Sequence, residues 1–253
     1  MRIVIGSEIR VKGASRALQK WCTENLVIPN PEYASRARRG LWIGNTPKFL
    51  WLYRLEDTDL LLPTGTGKQL RAFLDQDDEV RLDLADHGRI PFAGSVPLYD
   101  YQEAAVDAMV KNRCGILKSP CGSGKTQMGI ALAARLSRKT LWITHTQDLL
   151  NQSMERASQY FDRSGMGVIA AGKVQIGSHF TFATVQTLCK LDLDQYRYTW
   201  DVIIVDECHR LSGSPAQVTM FYRVMNHLAA RYKYGLSATV HRSDGMIKST
   251  LAV

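Results

Sequence analysis

The residues best suited to chemistry lie in two short, widely separated segments. The first is Ser119-Pro-Cys-Gly-Ser-Gly-Lys-Thr126. Glycines at 122 and 124 permit backbone dihedrals closed to other residues, so the chain can wrap an anion with its own N–H groups. Cys121, Gly122, Ser123 and Gly124 would make that wrap. Lys125 would reach the β- and γ-phosphates of ATP, and the Thr126 hydroxyl would ligate Mg²⁺. The strict pattern opens on glycine, and here Ser119 stands in that place. The second segment is Val202-Ile-Ile-Val-Asp-Glu-Cys-His209. Asp206 would hold Mg²⁺ through its water shell, and Glu207 would polarise the water that attacks the γ-phosphate. An Asp-Glu pair after a core strand is commonplace alone, but a phosphate loop upstream gives it a partner.

Such groups need a scaffold, and the pattern around them supplies one. Strand-like runs at 115–118, 140–144, 180–184, 202–205 and 233–236 alternate with helical patterns at 126–136 and 147–160. That alternation indicates α/β architecture, a parallel sheet with helices on both faces. The run at 202–205 is apolar throughout, as a central parallel strand requires. Ligands in such sheets sit at the carboxyl ends of the strands.

A second glycine-rich stretch, Pro63-Thr-Gly-Thr-Gly-Lys-Gln69, imitates the first. Gln69 occupies the place of the Mg²⁺ hydroxyl, and no acidic strand end follows nearby. It reads as a turn on a basic surface. Upstream, 2–5 and 8–11 look like strands. The stretch 15–25 looks like a helix with Leu18, Trp21, Cys22 and Leu26 on one face, and 49–55 with 59–62 looks like a hairpin. These describe a small α+β domain over 1–90, followed by the parallel-sheet domain over 91–253. The stretch 75–97, rich in charge, glycine and proline, reads as the linker.

Composition narrows the setting. Apolar residues at 45% and charged residues at 22% exclude a disordered chain. The five cysteines are odd in number and lack C-x-x-C spacing, which argues against a disulfide framework or zinc site and for a reducing compartment. The first apolar run is too short for a signal peptide, and no run approaches the ~20 apolar residues of a membrane span. A cytoplasmic protein without membrane contact is expected. The net charge of +8 favours polyanionic partners.

With both segments in place, the chain resembles superfamily 2 helicases and translocases of the XPB/UvsW-like branch, which includes restriction-enzyme helicase subunits. Asp-Glu-Cys-His209 after a phosphate loop carries the resemblance. Leu98-Tyr-Asp-Tyr-Gln102 is similar to the segment whose glutamine contacts adenine, with Tyr99 where arginine is common. Thr144-His-Thr-Gln-Asp-Leu-Leu-Asn-Gln152 and Thr184-Val-Gln-Thr-Leu188 resemble segments that touch the DNA backbone. Leu236-Ser-Ala-Thr-Val-His-Arg-Ser-Asp-Gly245 resembles the coupling motif with an Arg-x-Asp-Gly tail, with Val240 in place of proline. The resemblance implies a RecA-like domain over 91–253, Gln102 in the ATP site, His209, Ser237 and Thr239 as coupling residues, and Gln147, Gln152 and Thr187 as DNA contacts. It also implies a second RecA-like domain, from further chain or a partner, whose arginine fingers complete the ATP site; without it, hydrolysis would be poor.

Asn30-Pro-Glu-Tyr33 and Arg39-Gly-Leu-Trp-Ile-Gly44 resemble the accessory domain in front of some members. Arg36, Arg38, Arg39 and Trp42 are the candidate DNA contacts there, since cations suit phosphates and rings suit bases. Phe49, Trp51 and Tyr53 share one strand face and fit either a core or a stacking surface. The leading expectation is one half of an ATP-dependent DNA helicase or translocase. A nucleotide-gated DNA-binding module and a motor subunit of a restriction complex fit the same residues.

Overall fold

The computed structural model describes residues 1–210, 214 and 218–239. Val240 and the Arg-x-Asp-Gly tail at 242–245 lie outside the described residues. The chain divides into two compact units, one built on 1–83 with 218–226, the other on 84–210 with 227–239.

The first unit opens with β1 (Arg2–Ile5) and β2 (Ile9–Lys12), then α1 (Arg16–Asn25), whose N-terminus is capped by the Ser15 hydroxyl. There follow β3 (Val27–Pro29), α2 (Pro31–Arg38), β4 (Phe49–Trp51), β5 (Arg54–Glu56), β6 (Asp59–Leu62), α3 (Gly67–Leu70) and β7 (Glu79–Leu82). Five strands form one sheet in the order β5-β6-β2-β1-β7, and β3 pairs with β4 separately. Leu18 and Cys22 of α1 are fully buried with Ile3, Val11, Leu50, Leu60 and Leu62, as period-3.6 and period-2 apolar patterns require.

Three local readings change here. The stretch 49–55 is two strands: β4 turns to β3 while β5 forms the hairpin with β6. Leu50 and Leu52 fill the core, so Phe49 and Trp51 face outward, each 46% exposed. Residues 79–82, read as linker, add β7 parallel to β1, because this charged strand suits a sheet edge.

The second unit holds α4 (Asp100–Lys111), β8 (Cys114–Lys118), α5 (Lys125–Leu136), β9 (Thr140–Thr144), α6 (Gln147–Ser158), β10 (Met166–Ala170), β11 (Lys173–Gln175), β12 (Phe180–Thr184), α7 (Val185–Leu188), β13 (Val202–Asp206) and β14 (Tyr232–Ser237). The helix α8 (Met220–His227) precedes β14, and most of it belongs to the first unit. The sheet runs β11-β10-β12-β9-β13-β14-β8, parallel except for β11. Steps from β8 to β9 and from β9 to β10 run one way across the sheet, and the step from β12 to β13 runs back. Right-handed crossovers therefore place α5 and α6 on one face and the returning connection on the other. β9, β12 and β13 are buried along their whole length, as central strands covered on both faces must be.

The beginning of this unit is a pinned strap. The Ala85 N–H donates to Ala229 O, Ile90 N–H to Ser137 O, and His87 N–H to the buried Asp201 carboxylate at 2.9 Å. Phe92 stacks edge-on against Phe161 and Phe180. Among the described residues, no helix is long and apolar enough to cross a membrane.

Candidate nucleotide site

Because the strands are parallel, β8, β9, β12, β13 and β14 all end at one edge of the sheet. The loop 119–124 leaves β8 there, and Glu207 leaves β13 there. Gly122 and Gly124 adopt φ of +78° and +81°, and Gly124 caps the N-terminus of α5. The first-turn N–H groups of α5 therefore point out of the loop, where an anion is favoured by the helix dipole. Lys125 Nζ donates to Pro120 O at 3.0 Å, which holds the ammonium over the loop.

The loop is braced from three sides. Ser119 Oγ donates to Ser123 Oγ at 2.6 Å, and that hydroxyl donates to Pro120 O at 2.7 Å. The residue in the place of the usual glycine thus ties the loop together. The Ser119 N–H donates to Ser237 O at 3.0 Å, joining the loop to the end of β14. From α4, Gln102 is 2% exposed and donates through Nε2 to Ser123 O at 2.9 Å. Its Oε1 accepts from the Tyr99 N–H, and Tyr101 OH donates to the same Ser123 carbonyl at 3.1 Å. The Gln102 amide is turned to the loop and to its own helix end.

Asp206 is buried at the end of β13, and its carboxyl is pushed up to about 6, first by burial and then by the charge of Glu207; Lys125 pulls the other way. Glu207 adopts φ +52°, the left-handed region that a non-glycine residue occupies at a cost. Its Oε2 lies 3.1 Å from His209 Nδ1, and the same nitrogen lies 3.1 Å from Ser237 Oγ. Ser237 already gives its hydrogen to Thr239 O at 2.7 Å. His209 Nδ1 thus lies within hydrogen-bond distance of both Glu207 and Ser237. Glu207, His209, Ser237 and Thr239 form one connected chain.

Lys125, Thr126, Asp206 and Glu207 line a single cleft of about 610 Å³, together with Cys121, Gly122 and Gly124. α6 lines the same cleft through Leu149, Gln152, Ser153, Glu155 and Arg156, with Gln159 just past its end. Gln152 thus lines the same cleft as Lys125 and Thr126. Gln147 projects elsewhere from α6 and bonds to Asn151 at 3.2 Å. Thr187 is half-buried and accepts from Thr184 Oγ1 at 3.0 Å, beside Gln186, which donates to His145 O at 2.7 Å. Arg156 and Gln159 escaped the sequence reading. The signal was present, since Gln152 and Arg156 are four apart on one helix and must share a face.

The look-alike at 63–69 has a different backbone. Thr64–Thr66 is a 3-10 turn running into α3, and Gly67 is helical at φ −58°. Thr66 Oγ1 is buried against Pro63 O at 2.7 Å. In the first unit, Arg36 pairs with Glu32 at 2.8 Å, while Arg38, Arg39 and Trp42 are exposed. These residues belong to the first unit, and the cleft is built from the second.

Residues 95–242 match the family described as type III restriction enzyme, res subunit. The chain belongs to this family. Within superfamily 2 several of its relatives are XPB helicases or translocases. It is 30% identical over 177 residues to the DNA 3'-5' translocase XPB2 of Sulfurisphaera tokodaii, covering 68% of this chain and 38% of that protein. It is 30% identical over 158 residues to the DNA 3'-5' helicase XPB of Mycobacterium tuberculosis, covering 58% and 27%. The chain thus spans well under half the length of these relatives. The UvsW helicase of bacteriophage T4 shares the fold over 100% of this chain and 97% of its own, with a TM-score of 0.70 at 19% identity. The res-subunit domain of this chain is RecA-like, and the UvsW likeness extends through the preceding α+β unit.

Proposed function

We propose that this chain binds Mg-ATP and nucleic acid as the first RecA-like domain and accessory domain of an ATP-driven DNA helicase or translocase. The observation that carries the reading is the convergence of Lys125, Thr126, Asp206 and Glu207 on one cleft. The donor set fits a divalent cation bound with a triphosphate. Burial of Asp206 beside a second carboxylate is a setting that a divalent cation would neutralise. Mg²⁺, when bound, neutralises phosphate charge, and Thr126 and Asp206 are the residues placed to hold it.

The protein's own residues do the rest. Loop amides and Lys125 fix the β- and γ-phosphates, and Glu207 orients the water for in-line attack. The His209–Ser237 bond carries the state of Glu207 to the end of β14. In a motor of this kind a second RecA-like domain would supply arginine fingers, worth ~10³–10⁵ in rate. Nucleic acid as partner is supported by the helicase and translocase relatives. A likeness in fold to a Sulfolobus solfataricus SWI2/SNF2 ATPase core bound to double-stranded DNA agrees, at TM-score 0.53.

Titration with a fluorescent ATP analogue and Mg²⁺ tests the site. Lys125→Ala should abolish binding, while Glu207→Gln should bind and retain ATP. Parent-like binding and turnover by both variants would overturn the assignment.

A further inference from the structure

The side-chain amide of Gln102 is fully engaged within the protein. It stands in the first turn of α4, where Oε1 turns back to accept the Tyr99 N–H at 3.0 Å, a helix-capping bond. Nε2 donates to Ser123 O at 2.9 Å and to Tyr101 OH at 3.3 Å. A primary amide has two N–H donors and one carbonyl, and these bonds use all three. The partners also fix its orientation. A reversed amide would set oxygen against the Ser123 carbonyl and NH₂ against the Tyr99 N–H. The side chain is buried, and Nε2 is packed so closely on the loop that a methyl on Gly124 would overlap it.

Reading a purine takes the same groups. Adenine offers a donor at N6 and an acceptor at N7, which an amide matches with its carbonyl and one N–H; guanine has an acceptor at O6 and repels that carbonyl. An amide turned to the base is therefore a selector, worth roughly 10- to 100-fold for two neutral bonds. Here that turn would break the helix cap and the loop brace together. What the segment leaves outward is the ring pair Tyr99 and Tyr101, 72% and 55% exposed, 6.0 Å apart and within 9° of parallel. The Tyr101 hydroxyl ties its ring to the loop through Ser123 O. A ring face meets any base alike. The first-turn N–H groups of α5 and the Lys125 ammonium, by contrast, suit phosphate.

We propose that this site selects a nucleotide by its triphosphate and leaves the base unread, so that ATP and GTP bind with similar affinity while Gln102 positions the glycine loop. This rests on the nucleotide reading above and adds its base selectivity.

The test uses the whole chain with Mg²⁺ and a fluorescent ATP analogue, displaced in turn by ATP, GTP and inorganic tripolyphosphate. ATP and GTP should compete within roughly threefold of each other, less than two edge bonds would give. A preference for ATP of about tenfold or more would overturn the inference and leave the nucleotide site standing. Gln102→Ala should weaken ATP, GTP and tripolyphosphate by one common factor, roughly threefold to tenfold, because a loosened loop is felt by the phosphates. A loss on ATP with GTP and tripolyphosphate unchanged would assign Gln102 to the base, and no loss on any competitor would overturn its positioning role. Should this buried substitution unfold the chain, which its melting temperature shows, the parent's ATP-to-GTP ratio decides alone. Failure of the parent to bind the analogue would instead overturn the nucleotide site itself.

Discussion

Gly124 and Gln102 offer a direct measurement of how the phosphate loop is held. Replacing Gly124 with alanine imposes two separable costs. The backbone sits at φ +81°, where an L-residue pays about 1–2 kcal/mol. The new methyl would also overlap Gln102 Nε2, which is buried and donates to Ser123 O. Displacing that buried amide breaks its bond to Ser123 O, about 1–3 kcal/mol. The sum is about 2–5 kcal/mol, a large share of the ~5–15 kcal/mol that holds a typical domain together. Gln102→Ala alone loses the amide's bonds, about 1–3 kcal/mol. In that background the methyl has room, so Gly124→Ala should add only the backbone strain. A double-mutant cycle should therefore show about 1–3 kcal/mol of coupling, the double variant being more stable than the single losses predict. Urea unfolding of the four proteins gives the cycle, and nucleotide titration shows whether affinity follows it. Additivity within about 0.5 kcal/mol would refute the claim that Gln102 packs on the loop as a steric partner.

Three further outcomes follow from the same geometry. Ser119→Gly restores the usual glycine but removes the donor to Ser123 Oγ, so stability should fall by about 0.5–1.5 kcal/mol, read by urea unfolding; an unchanged midpoint would show that the hydroxyl braces nothing. Gln152→Ala should weaken nucleotide binding by roughly threefold to tenfold while leaving DNA affinity unchanged, because the side chain lines the phosphate cleft. The reverse pattern in paired titrations would return Gln152 to the DNA-contact role. Lys68→Ala should leave nucleotide affinity within about twofold, since 64–70 is a helical turn without a left-handed glycine, and a strong loss would revive the second loop.

Much of the second unit was legible because its signals are local. A strand, a glycine loop and a helix in sequence define where phosphates sit, and an apolar run ending in Asp206 and Glu207 marks a neighbouring strand end. The strand β10 was missed because 166–170 mixes glycine and alanine with few β-branched residues. It is held by its parallel pairing to β12, which no local pattern reports. In the first unit, one aromatic run became β4 and β5. Alternation alone does not say which face is inside, and the leucines won the core because α1 and β3 present an aliphatic surface to them. Gln152 was assigned by motif similarity, whereas its position on α6 depends on how that helix packs beside α5.

Several features of the cleft run against the stability of the chain. Asp206 is buried beside another carboxylate, and Glu207 keeps a left-handed backbone. Gly122 and Gly124 also add unfolded-state entropy. None of these is required by the sheet, because a strand end can finish on a neutral residue and an ordinary turn. They share one property: under the proposed function each would be relieved or used as a polyanion and a cation enter together. The left-handed turn carries Glu207 to within 3.1 Å of His209, which in turn touches Ser237. Ser237 is the register neighbour of Lys118, and its carbonyl receives the first N–H of the phosphate loop. A change in the charge or position of Glu207 therefore has a path of two side-chain contacts and one backbone bond back to the glycine loop at 119–124. Under the proposed function, the strain sits where a site would report hydrolysis to a neighbouring domain.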